Sequence, residues 1–130
     1  MPLTDPQIKQ RLPLWKALSD LWLDTELEGY DYAYIARTIN ESPFTLEEAF
    51  TIHKYEVAPA VFINLMSVAG EWAMFDEEWL KKRCLASANK RGRMLNRLMC
   101  AALSPFIKYH TDHHCQEIRK CYVTLKADLN

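Results

Sequence analysis

The chain has 130 residues, 49% of them apolar and 25% charged, with a formal net charge of −1 at pH 7. That balance is ordinary for one soluble globular domain over residues 1–130, and its slightly acidic sign counts against a nucleic-acid binder. A chain of this length buries roughly two thirds of its unfolded surface, so folding needs neither a disulfide nor a metal.

Nearly every segment has helical period, and three glycines are too few for a β-rich chain. Thr4 or Asp5 can cap a first helix with Pro6 just inside it, and Pro13 bends or restarts that helix. Leu14, Trp15, Leu18, Leu21 and Trp22 then share one face. DTELEGYD reads as a connection turning at Gly29, with Asp31 capping a helix whose inner face is Tyr32, Ile35, Ala36 and Ile39. Thr45 and Glu48 form a capping box for a face of Leu46, Ala49, Phe50, His53 and Val57. Pro59 ends that helix or starts another, with Val61, Phe62, Leu65 and Met66 inward. Gly70 suits a stop, Asp76 caps EEWLKKRCLASA, and Gly92 punctuates again. Met94, Leu95, Leu98, Ala101 and Ala102 make the next expected inner face. Ser104-Pro105 restarts the chain before a last helix toward Leu129. The expected class is all-α, a compact bundle of six or seven short helices.

MPLTDPQIKQ lacks a signal-peptide core, and VAPAVFINLM (57–66) is too short to span a bilayer. The four cysteines form no CxxC pair, so reduced thiols in a cytoplasmic protein are expected. Charge is uneven: residues 1–65 hold 10 acids and 5 bases, and residues 66–130 hold 7 acids and 11 bases. Such a dipole can steer a partner toward either end.

Histidines and cysteines crowd KYHTDHHCQEIRKC (108–121). On a continuous helix His113 falls about −60° and His114 about 40° from His110, on one face. Imidazoles at i and i+4 can chelate a metal, with Glu117 as a third donor, whereas Cys121 is too far along the axis. Ile118, Tyr122, Leu125 and Leu129 lie beside His114 and Cys121, so an amphipathic core stripe explains the same residues. Thr111 as an N-cap would take His110 off the helix altogether. The structural reading is preferred, with no cofactor; a metal site on His110, His113 and His114 is the alternative. His53 could be a general base oriented by Glu56, but a hydrogen-bonded core histidine is the commoner case.

Two surface candidates remain. DLWLDTELEGYD (20–31) holds five acids, and Asp20, Asp24, Glu26, Glu28 and Asp31 with Tyr30 could meet a basic partner. Alternatively Trp22 is core, Asp31 a cap, and the other acids solvate a turn. Lys90, Arg93 and Arg97 fall within about 60° on one helix face and could meet phosphates. No recognition helix or stacking motif accompanies them, so a solvated face is the preferred reading. GxSxG, HExxH, P-loop and GxGxxG signatures are absent from the sequence.

LWKALSDLWLDTEL (14–27), IARTINESPFTLEEAF (35–50) and EVAPAVFINLMSVAGEWAMFDEEWL (56–80) together resemble a family of small bacterial proteins classed as a domain of unknown function. The resemblance covers about residues 12–80 and implies a bacterial source and a compact helical fold. It supplies no activity or cofactor. Asp24, Glu26, Arg37, Glu56, Asn64 and Glu71 interrupt its apolar phrases; a buried acid–arginine pair among them would fix the fold, and a polar pocket is the alternative. The expected function is a non-enzymatic cytoplasmic module that binds another protein, most specifically an immunity or antitoxin-type inhibitor of a toxin or effector. A metal-dependent protein and a basic nucleic-acid accessory protein are the alternatives, and no membrane is involved.

Overall fold

Caps and prolines decide where this chain turns. The computed structural model describes residues 3–22, 27–65, 77–91 and 93–129, with backbone alone for 62–65 and 129. Among these the regular elements are helical, and the class is all-α. Helix α1 spans Asp5–Ser19. Its Thr4 hydroxyl accepts from the Gln7 N–H, and the Gln7 side chain accepts the Thr4 N–H in return. Pro13 lies inside α1 without ending it; one ladder bond is lost on an exposed side while Leu14, Trp15, Ala17 and Leu18 hold the opposite side in the core. The chain then tightens into a 3-10 turn, Asp20–Trp22.

Helix α2 spans Gly29–Glu41 and corrects two expectations. Its N-cap is Glu28, whose N–H donates to the Asp31 carboxylate at 2.8 Å, so Asp31 sits in the first turn. Gly29 is already helical, and no described residue has the left-handed φ that a glycine turn supplies. Helix α3, Leu46–Ile52, carries the expected Thr45–Glu48 box. A π-turn, His53–Val57, joins it directly to α4, Ala58–Leu65. Pro59 accounts for that turn. A proline ring collides with the carbonyl four residues back and offers no N–H. The wider turn, with Ala58 N–H bonded to His53 O, accommodates it.

Helix α5 spans Glu77–Asn89, and α6 spans Met94–Leu129 as 36 residues, about 54 Å long. The expected restart at Ser104-Pro105 does not occur. Pro105 lies on an exposed side, and Cys100 and Ile107, both buried, hold the helix on either side of it. With α3, the π-turn and α4 counted as one rod, the described helices make five rods where six or seven short ones were expected. Pro105→Ala should restore the bond to the Ala101 carbonyl and raise stability by about 1–3 kcal/mol in urea unfolding. No gain would show that the proline suits the packed geometry.

The inner faces read for α1, α2 and α3 are where they were expected. Leu14, Trp15, Leu18, Leu21, Trp22, Tyr32, Ile35, Ala36, Ile39, Leu46, Ala49, Val57 and Val61 are buried in one core, joined by Leu80 and Cys84 of α5 and Ile107 and Ile118 of α6. The inward assignment of Phe62 and Leu65 lies outside the described side chains, and Met66, Gly70, Asp76 and Gly92 lie outside the described residues. No described helix is long and apolar enough to cross a membrane.

Candidate functional site

The 3-10 turn after α1 brings Trp22 against α6 and the π-turn. Its indole lies flat against the His110 ring, with centroids 4.5 Å apart and planes 13° from parallel. Its Nε1–H donates to His53 Nε2 at 3.0 Å. His110 Nε2 lies 3.2 Å from the Leu21 carbonyl, which only accepts, so that nitrogen carries the proton. One turn along, His114 Nδ1 shares a 2.7 Å hydrogen bond with the Tyr32 hydroxyl of α2. Two rings of the alternative metal trio, His110 and His114, thus fasten α6 to the rest of the bundle, as the preferred structural reading had it, while His113 and the outer edge of His110 are exposed. Glu117 turns to Lys120 at 3.3 Å. Among the described residues no three His, Cys, Asp or Glu side chains are placed to hold a metal. Thr111 lies inside α6, donating to the Ile107 carbonyl, and so leaves His110 on the helix.

Burial holds the His53 imidazole well below its ordinary pKa, at about 4, and neighbouring His110 and His114 add to the effect. His114 is lowered for the same reason, by burial first and then by His110 and His113. Asp20 moves the other way, up to about 6, through burial and the charge of Asp31. Burial also raises the Cys84 thiol, and takes Cys115 up to about 11, so both are poor nucleophiles at neutral pH.

Glu56 does not orient His53. Its carboxylate is 1% exposed and accepts from Trp15 Nε1 at 2.8 Å and from Arg91 Nη1 at 2.8 Å. Arg11 Nε lies 3.3 Å from Glu56 Oε1 but off the hydrogen-bonding direction, an ion pair without a hydrogen bond. The two guanidinium groups stack on Phe44 and Tyr55 at 5.1 and 5.2 Å. The buried acid was legible in Glu56, which interrupts an apolar run, but Arg37, the arginine of the expected set, is exposed. The partners of Glu56, Arg11 and Arg91, carried no local signal, because only the fold brings α1 and the end of α5 to the π-turn.

Part of the described acidic connection is occupied with local structure. Asp31 accepts from the N–H of the N-cap Glu28, Asp20 is half-buried, and Trp22 is core. Glu28 and Tyr30 remain exposed, and Asp24 and Glu26 lie outside the described residues. The largest surprise lies on α6. Met94, Leu95, Leu98, Ala101 and Ala102, expected to face inward, are all exposed. The buried stripe of this half is Asn96, Cys100 and Ile107, on the opposite side of the helix. Both stripes have helical spacing, and only docking against the core selects between them. Arg97 is exposed beside the outward side, and Lys90 and Arg93 are exposed just before the helix, so the basic candidate lies next to apolar side chains.

A cleft of about 640 Å³ lies between this outward side and the π-turn, lined by Lys54, Tyr55, Met94, Arg97, Leu98 and Ala101. The π-turn commits His53 and Glu56 to the core and leaves Lys54 and Tyr55 half-buried at the cleft.

The chain belongs to a family described as a domain of unknown function, DUF7079, whose model matches residues 9–121. The match runs past residue 80, where the quoted phrases end, and takes in His110, His113 and His114. No curated protein and no solved structure matches the chain.

Proposed function

We propose that this chain works by contact, as a non-enzymatic module whose binding face is the outer side of the first half of α6. The observation that carries the reading is the exposure of Met94, Leu95 and Leu98, at 77%, 82% and 61%. Single exposed apolar residues are ordinary, but neighbouring ones rimmed by charge suit a protein interface. Tyr109 extends the same side at 94% exposure. The apolar side chains between the cations favour a protein over a nucleic acid, because Met94, Leu95 and Leu98 would be left against hydrated phosphates. In its narrower form the reading is a bacterial, cytoplasmic inhibitor of the immunity or antitoxin type, acting by covering a toxin or effector. Tyr30 and Glu28 offer it a second, smaller contact.

The test is capture from the host with the untagged wild type and a Leu95→Glu/Leu98→Glu variant. The wild type should retain a stoichiometric protein partner that the variant loses while keeping its helical circular dichroism. A partner held equally by both would remove α6 from the binding face.

A further inference from the structure

We infer that the partner presents an acidic amphipathic helix to the cleft between α6 and the π-turn. The inference rests on the contact reading and adds the chemistry of what is contacted. The cleft pairs an apolar floor with a cationic rim. Met94, Leu98 and Ala101 come from α6, with Arg97 on one rim and Lys54 on the other, and no carboxylate is among the described lining residues. The Tyr55 ring carries two cations: Lys54 Nζ at 5.3 Å and the Arg91 guanidinium at 5.2 Å from its centroid. The rim therefore gains positive potential from Arg91 as well, a residue only partly neutralised by Glu56, which it shares with Arg11.

That potential selects the occupant. A second copy in a two-fold arrangement would set this same cationic surface against itself, which is repulsive. A nucleic-acid backbone would satisfy the cations and strand Met94, Leu98 and Ala101 against hydrated phosphates. A bilayer is flat, whereas this is a recess about 15 Å long between Met94 and Ser104, the length of about three helical turns. A helix with leucine-like anchors at i, i+3 and i+4 and carboxylates flanking them meets both floor and rim.

The test uses the full chain and a fluorescent helical peptide of about four turns, leucine on one face and glutamate beside it, read by anisotropy. Its counterpart has lysine for glutamate, and further arms are phosphatidylglycerol vesicles and single-stranded RNA. The acidic peptide should bind about tenfold or more tightly than the lysine peptide, and more tightly as salt falls. Arg97→Glu should invert that preference, and Leu98→Glu should abolish binding with a Tm within about 2 °C of wild type. Equal binding of both peptides, or binding of vesicles or RNA alone, would overturn the inference. A Tm loss beyond about 5 °C in Leu98→Glu would overturn it too, by showing that the folded chain itself covers this face. If a natural partner is captured through α6 but the acidic peptide fails to displace it, the inference falls and the contact reading stands. If capture ignores α6, the contact reading falls first.

Discussion

Glu56→Ala should destabilise the protein by about 3–5 kcal/mol, the largest loss expected from any single polar substitution here. The carboxylate is almost fully buried and is shared by Trp15, Arg91 and Arg11. Its removal leaves the Trp15 N–H without an acceptor inside the core and two guanidinium groups without a counter-ion. In thermal unfolding the midpoint should fall by about 10–20 °C. Glu56→Gln should cost less, since the amide oxygen still accepts from Trp15. Replacing Glu56, Arg11 and Arg91 together by leucine and methionine should recover much of the loss, because an apolar cluster carries no desolvation cost. Additive losses in that triple variant would show that the three side chains act independently.

Acidification should produce the second large effect. The buried His53 ring holds its proton only near pH 4, against about 6.5 for an exposed imidazole. In the window between, the unfolded chain takes up a proton that the folded chain refuses. Stability is therefore complete above about pH 6.5 and falls as the pH drops toward 4, by up to about 3 kcal/mol. The groups facing His53 explain the sign. Trp22 Nε1–H donates to its Nε2, so protonation there sets two donors against each other. His110 and His114 lie close by and oppose a charge on its ring, and Lys54, Lys108 and Arg119 line the adjoining cleft, with Asp112 the acid on that wall. Asp20 works in the opposite direction. Its carboxyl is raised to about 6, so its contribution is present at low pH and lost as the pH rises through that value. Being half-exposed, it softens the acid fall without reversing it. Urea unfolding at pH 7.5 and 4.5 should show the drop in wild type and a much flatter profile in His53→Gln, whose amide oxygen can accept from Trp22. An unchanged drop in that variant would assign the acid sensitivity elsewhere.

The histidine stretch shows how far local pattern reaches. Spacing alone placed His110, His113 and His114 on one helical face, and that is correct as helix geometry. Spacing carries no information about Trp22, Leu21 and Tyr32, which take up His110 and His114 as docking groups. The same gap explains α6. Two apolar stripes occupy its first half, both at helical period, and the one with the larger side chains is the one left outside.

Local sequence by itself determined the all-α class, the caps at Thr4 and Thr45, and the inner faces of α1, α2 and α3. Those features depend on interactions a few residues apart, and an apolar face with a single stripe has only one way to be buried. Tertiary structure decided the rest: that α6 runs unbroken through Pro105, that Glu56 gathers two distant arginines, and that Met94, Leu95 and Leu98 stay outside. Each is a choice between locally equivalent arrangements, and only the free energy of packing remote segments together distinguishes them.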